Sequence, residues 1–185
     1  MQQLNKEEES DLASACCAGE RRAQHLLWQR YKNRMYGVCL RFAATSEAAE
    51  DMLQEGFVKV YQNICQYRGE GSLEGWVRRI IVRTCLQMLQ IQQNIPNKID
   101  LDALENILFN PETTDPQTPE SGRLVALLQQ LPPGFRAVLN LYVIEERSHE
   151  EIARELGISV GASKSQLHRA KAFFRKLLDK TLLLI

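Results

Sequence analysis

Apolar residues recur along this chain at steps of three and four, with polar residues between them. Leu27, Tyr31, Met35, Val38 and Phe42 form one stripe, and Leu53, Phe57, Val60, Tyr61 and Ile64 a second. Val77, Ile81, Thr84, Met88 and Ile91 form a third. Each follows the helical period and predicts a helix with one buried face. Short breaks separate the stripes, at Ala44-Thr45-Ser46 and at Arg68-Gly69-Glu70-Gly71-Ser72. Ser46 followed by acidic Glu47 and Glu50 predicts a capped helix start of the sign the helix dipole favours. With a short helix in the N-terminal residues 1–23, these three can enclose a modest core over residues 24–93.

The pattern changes near Asn94. Residues 94–120 contain Pro96, Pro111, Pro116 and Pro119 and, apart from a short helix predicted around Leu101–Phe109, read as a flexible linker. A second helical unit is predicted over residues 121–185. Leu124, Leu127, Leu128 and Leu131 make a short helix stopped by Pro132-Pro133, and Phe135, Val138, Leu139, Tyr142 and Val143 make the next. The alternating patterns of a nucleotide-binding sheet are missing. The expected fold is therefore all-α, with two small helical domains on an acidic tether.

Residues 148–171, SHEEIARELGISVGASKSQLHRAK, read as a complete helix-turn-helix. Ser148 and Glu151 have the three-residue spacing of a capping box. Ile152, Ala153 and Leu156 supply an inner face, Gly157 stands where a left-handed backbone is needed, and Ser159 can cap the second helix. That helix offers Ser159, Ala162, Ser163, Lys164, Gln166, His168, Arg169 and Lys171. Short polar and cationic side chains at the start of a second helix suit base edges and phosphates in a major groove.

The formal net charge is zero, with 23 basic and 23 acidic residues, but the charge is unevenly spread along the chain. Residues 94–120 carry 1 basic against 6 acidic residues, whereas 121–185 carry 10 against 6. Phosphate contacts then come from a basic C-terminal end, and total charge need not be high. The five cysteines, Cys16, Cys17, Cys39, Cys65 and Cys85, form no C-x-x-C pair and no metal-ligand spacing. Adjacent Cys16 and Cys17 are a poor disulfide pair, so reduced and mostly buried thiols are expected. The polar N-terminus and the lack of a long apolar run predict an intracellular protein with no leader and no membrane span.

Catalysis is not predicted. His25, His149 and His168 are scattered, no nucleophile has an evident base, and no phosphate-binding glycine loop occurs. No cofactor and no metal are implied. Glu47, Glu50, Asp51, Gln54 and Glu55 lie at helical spacings opposite the Leu53/Phe57 stripe, either as an ordinary solvated face or as a docking surface for a basic partner. The segment Gln66–Trp76 combines Tyr67, Arg68, Gly69, Gly71, Ser72, Leu73 and Trp76 with Arg78, Arg79 and Arg83 on the helix that follows. Aromatic and backbone groups of such a loop can clamp an unstacked base, though an inter-helix connection with Trp76 in the core has the same pattern.

Taken in order, the D-x-x-Q-E helix, the G-S-x-x-x-W loop, the Pro-rich linker, L-P-P-x-F-R and the helix-turn-helix resemble the extracytoplasmic-function (group 4) sigma factors of bacterial RNA polymerase. The resemblance covers residues 24–93 and 124–178. It implies a sigma-2-like domain at 24–93, whose Glu50, Asp51, Gln54 and Glu55 dock on the clamp helices of the polymerase's largest subunit. It implies capture of an unpaired −10 base by the loop around Tyr67–Leu73, with Trp76, Arg78 and Arg79 supporting DNA there. It implies −35 reading and contact with the polymerase flap by residues 121–180, and a linker whose acidity mimics nucleic acid. The implied partners are core RNA polymerase and promoter DNA, with an anti-sigma factor as regulator, in the cytoplasm.

Two departures from the family pattern stand out. The end of the −10 helix reads Arg83, Gln87 and Gln90 where an Asn, Asp and Arg series is common, which removes a cation and its salt-dependent attraction. The recognition helix reads G-A-S-K-S-Q-L, and Gln166 prefers an adenine edge where Arg prefers guanine. The alternatives are a homodimeric helix-turn-helix regulator, pairing through the apolar Thr181–Ile185 end, and a helical partner-binding module with no DNA role.

Overall fold

The structure, a computed structural model, describes residues 6–92 and 119–182, and every regular element among them is helical. The elements are α1 (Lys6–Cys17), α2 (Arg21–Phe42), α3 (Ser46–Asn63), a 3₁₀ turn (Ile64–Gln66), α4 (Leu73–Gln92), α5 (Pro119–Gln129), α6 (Pro133–Val143), α7 (His149–Leu156) and α8 (Val160–Leu182). The helix expected at Leu101–Phe109 lies outside the described residues, as does most of the apolar Thr181–Ile185 end. Two boundaries move. Ser46 is itself the first residue of α3, and α5 starts at Pro119, inside the stretch read as linker. Proline fits there because a helix start has no use for its missing N–H.

Contacts divide the chain into two units, one of Met1–Cys39 and Glu47–Cys85, the other of Leu40–Ser46 and Leu86–Ile185. In the first, α2 buries Leu27, Tyr31, Met35 and Val38, and α3 buries Ala49, Met52, Leu53, Gly56, Phe57 and Val60. These are apolar positions of the stripes, with Ala49, Met52 and Gly56 added. A Cβ built on Gly56 would stand 2.4 Å from Ile81 Cδ1, so a larger residue there must displace the end of the Ile81 side chain. Trp28 sets its edge against Phe57 at 4.6 Å between ring centroids, and the Tyr61 hydroxyl donates to the Gln24 carbonyl at 2.9 Å.

The cysteine expectation is corrected. Cys17 and Cys65 form a disulfide between the end of α1 and the 3₁₀ turn, across 48 residues of sequence, and both are exposed. Spacing concealed the pair because α1 packs on the 3₁₀ turn only once the helices have assembled. Cys16, Cys39 and Cys85 are buried thiols outside this disulfide, as expected.

In the second unit, α6 packs on α8 and α7 on α8. Leu127, Leu128, Leu131, Phe135, Val138 and Leu141 form its interior with Ile152, Leu167 and Ala170. Arg136 is buried in it. Its Nε and Nη2 both donate to the Leu131 carbonyl, at 3.3 and 2.9 Å, closing the turn around Pro132-Pro133. Burial lowers the guanidinium pKa to about 10.

Candidate nucleic-acid interface

The helix-turn-helix forms as the sequence requires. The Ser148 hydroxyl accepts from the Glu151 N–H at 3.2 Å, while the Glu151 carboxylate accepts from the Ser148 N–H at 2.9 Å. These hydrogen bonds, and after them the nearby Arg147, hold the Glu151 carboxyl below its usual pKa. Gly157 ends α7 in the left-handed region, φ 68° and ψ 32°, a conformation cheap only for glycine. The Ser159 hydroxyl then accepts from the Ala162 N–H at 3.0 Å and starts α8.

The side chains proposed for duplex DNA do not share one environment. Ser159, Lys164, Arg169 and Lys171 are exposed, as is His168, and Ala162 and Gln166 are half-buried. Ser163 is fully buried, and its hydroxyl meets His149 Nδ1 at 2.9 Å. Its place is between the two helices, where it orients α8 from within. His149 stacks on Tyr142 at 4.7 Å, and Lys171 Nζ lies 5.4 Å from the centroid of the same ring. The chain Ser163–His149–Tyr142–Lys171 thus ties α8 to α7 and α6. Nothing in the residue spacing distinguished Ser163 from its exposed neighbours.

The loop between the 3₁₀ turn and α4 is held at several points. Gly69 and Gly71 take φ of 71° and 87°, and the Tyr67 hydroxyl donates to the Gly71 carbonyl at 2.9 Å. Tyr67 and Trp76 meet edge to face at 5.8 Å, with Trp76 only half-buried. The Ser72 hydroxyl accepts from the Gly75 N–H at 3.1 Å, and the Leu73 N–H donates to Glu9 Oε2 at 2.9 Å. Leu73 is fully buried, so its side chain anchors the loop while the neighbouring Arg68, Gly71 and Ser72 stay exposed. Burial first, then the Glu9 charge and hydrogen bond, raise the Tyr67 pKa. Arg34 pairs with Glu74 in the first turn of α4. Along α4, Arg79 and Arg83 are exposed and Arg78 is half-buried.

The outer face of α3 carries Glu47, Glu50, Asp51, Gln54 and Glu55, all exposed. Glu55 pairs with Lys59 at 3.6 Å. Val58, 47% exposed, extends the same face with an apolar group, which sequence periodicity had not singled out.

Comparison with known proteins gives two family matches. A model described as Sigma-70 region 2 matches residues 27–94, and one described as Sigma-70, region 4 matches residues 121–174. The RNA polymerase sigma-H factor of Pseudomonas aeruginosa is 29% identical over 97% of this chain and 96% of its own. The ECF RNA polymerase sigma factor SigE of Mycolicibacterium smegmatis is 32% identical over 83% of this chain and 61% of its own. The ECF RNA polymerase sigma-E factor of Haemophilus influenzae is 31% identical over 83% of this chain and 86% of its own.

Proposed function

Because the chain belongs to the sigma-70 family, in its extracytoplasmic-function group, we propose that promoter reading is divided between two domains, residues 24–93 and 121–185, while α3 docks on the polymerase. An RNA polymerase sigma factor acts in transcription initiation by binding core polymerase and directing it to promoter DNA. The residue assignments are our reading. The observation that carries them is the exposure of an acidic strip, Glu50, Asp51, Gln54 and Glu55, on the side of α3 opposite its buried face.

Docking through that strip leaves the 67–76 loop and the α4 arginines for the −10 element. Tyr67 and Trp76 offer ring faces and edges, Gly69 and Gly71 offer close backbone, and Arg68, Arg78, Arg79 and Arg83 offer phosphate contacts. Lys164, Gln166 and Arg169, flanked by Ser159 and Ala162, read the −35 element, with Ser163 and Lys171 fixing the pose of α8. Glu47–Glu55 bind protein and the cationic helices bind DNA, so the neutral total charge presents no conflict. The protein supplies recognition, and bond-making stays with the polymerase.

We place the protein in the cytoplasm, where polymerase and chromosome are; no described helix is long and apolar enough to cross a membrane. An anti-sigma factor is proposed as a further partner, on the family resemblance. Reversing charge with Glu50→Lys and Asp51→Lys tests the docking assignment. Core-polymerase affinity falls at least tenfold while the helical signal and melting temperature hold; unchanged affinity refutes the assignment.

A further inference from the structure

Helix α1 precedes both family matches, yet it makes two connections to the loop assigned to base capture. Its Glu9 carboxylate accepts the Leu73 N–H at the loop's end, and its Cys17 is bonded to Cys65, two residues before Tyr67. One helix therefore grips both ends of the 67–72 segment. The two bonded cysteines are exposed, so small thiols and disulfides reach them. The other three are buried, and burial, with Glu20 adding to it, raises the thiol of neighbouring Cys16 to about 11. A thiol held protonated and covered is a poor nucleophile and does not compete for the bond. Disulfides in a reducing compartment are characteristically transient.

We propose that Cys17 and Cys65 are a reversible thiol–disulfide pair whose bonded state orders the 67–72 loop for base capture and whose reduced state loosens it. The proposal rests on the base-capture reading given above. The oxidant is a low-molecular-weight disulfide. One protein thiolate attacks a sulfur of it, forming a mixed disulfide and expelling one small thiolate. The second protein thiolate attacks the protein-bound sulfur, closing Cys17–Cys65 and expelling the other. The protons given up by the two cysteines end on the two small thiols, and two of these thiols reverse the sequence. Reduction leaves α1 in place through buried Leu12, Ala13 and Cys16, but its C-terminal end no longer fixes the 3₁₀ turn. A looser loop must be ordered when the base arrives, and that cost reduces affinity.

The test uses the full chain in oxidised and reduced glutathione, with Cys17→Ser as the variant that cannot close the bond. Alkylation and mass measurement read the redox state, and hydrogen exchange reads the amides of residues 67–73. The oxidised wild type is expected to exchange there roughly three- to tenfold more slowly than the reduced form. Cys17→Ser should match the reduced form in both buffers. A pair that stays in one state across the glutathione range overturns reversibility, and exchange equal in oxidised wild type and Cys17→Ser overturns the coupling. With core polymerase, on a promoter found by start-site mapping, open complexes should form at least threefold faster with oxidised protein. Equal rates despite altered exchange overturn the link to base capture. Core binding that is equally strong in both states keeps these results separate from the sigma-factor assignment, against which absence of core binding in both states would count.

Discussion

His149 Nδ1 and the buried Ser163 hydroxyl lie 2.9 Å apart, joining the first turn of α7 to the recognition helix α8. This pair fixes α8 against α7 from inside the domain. Ser163→Ala removes one partner and leaves the imidazole nitrogen unmatched, which costs about 1 kcal/mol. The expected result is a lower melting temperature with an unchanged slope of DNA affinity against salt. Lys164→Ala and Arg169→Ala should do the reverse. Each keeps the melting temperature and reduces that slope by about 0.9 for each lost phosphate contact. Thermal melts and salt-dependent binding titrations separate the two behaviours.

The capping box has a pH signature. Ser148 and Glu151 hydrogen bonds favour the ionised Glu151, whose folded pKa is held below its ordinary value of 4.5. A depressed carboxyl stabilises above the unfolded pKa. That contribution is fully present at neutral pH and is lost as pH falls from about 4.5 through the folded pKa. Ser148→Ala should cost about 1 kcal/mol at pH 7, and the acid-side decline should be shallower in the variant. Urea unfolding at pH 3 and pH 7 checks both statements.

Gly56 and Ile81 set the spacing of α3 and α4. Gly56→Ala places a methyl where Ile81 Cδ1 now stands, 2.4 Å from the ideal Cβ. The expected loss is about 1–3 kcal/mol, the usual range for overpacking. Ile81→Val removes Cδ1, so the double variant should recover part of the loss. A double-mutant cycle showing simple additivity would contradict this contact.

Tyr67 closes its loop through the hydroxyl donated to Gly71. Tyr67→Phe keeps the ring against Trp76 and deletes that hydrogen bond, worth about 0.5–1.5 kcal/mol. Promoter opening by holoenzyme should slow several-fold, with core affinity unchanged. Stopped-flow fluorescence of a −10 base analogue measures the first, and a core-binding titration the second.

Local rules made much of this molecule legible. The stripes from Leu27 to Phe42 and from Leu53 to Ile64 are buried apart from Tyr61, which is half-covered. Ser148, Glu151, Gly157 and Ser159 cap and break the helices where their chemistry demands. These features depend on residues within one or two helical turns. What stayed hidden depends on partners far along the chain. Cys17 meets Cys65 across 48 residues, and Glu9 reaches Leu73 across 64. The burial of Ser163 is set by His149, 14 residues away, and a serine's side chain gives no sign of which face it will occupy. Val58 was overlooked for a related reason, since one exposed valine on a polar face does not disturb an amphipathic pattern.

The central claim is promoter-directed initiation. Its most direct measurement is mapping of RNA 5′ ends made by core polymerase on genomic DNA of the source organism, with and without the purified protein. The account predicts new start sites that share one −10 and one −35 sequence, present only with the protein and lost with Glu50→Lys and Asp51→Lys together. Tight binding to core polymerase with no new start sites, or new start sites unaffected by those substitutions, would contradict it.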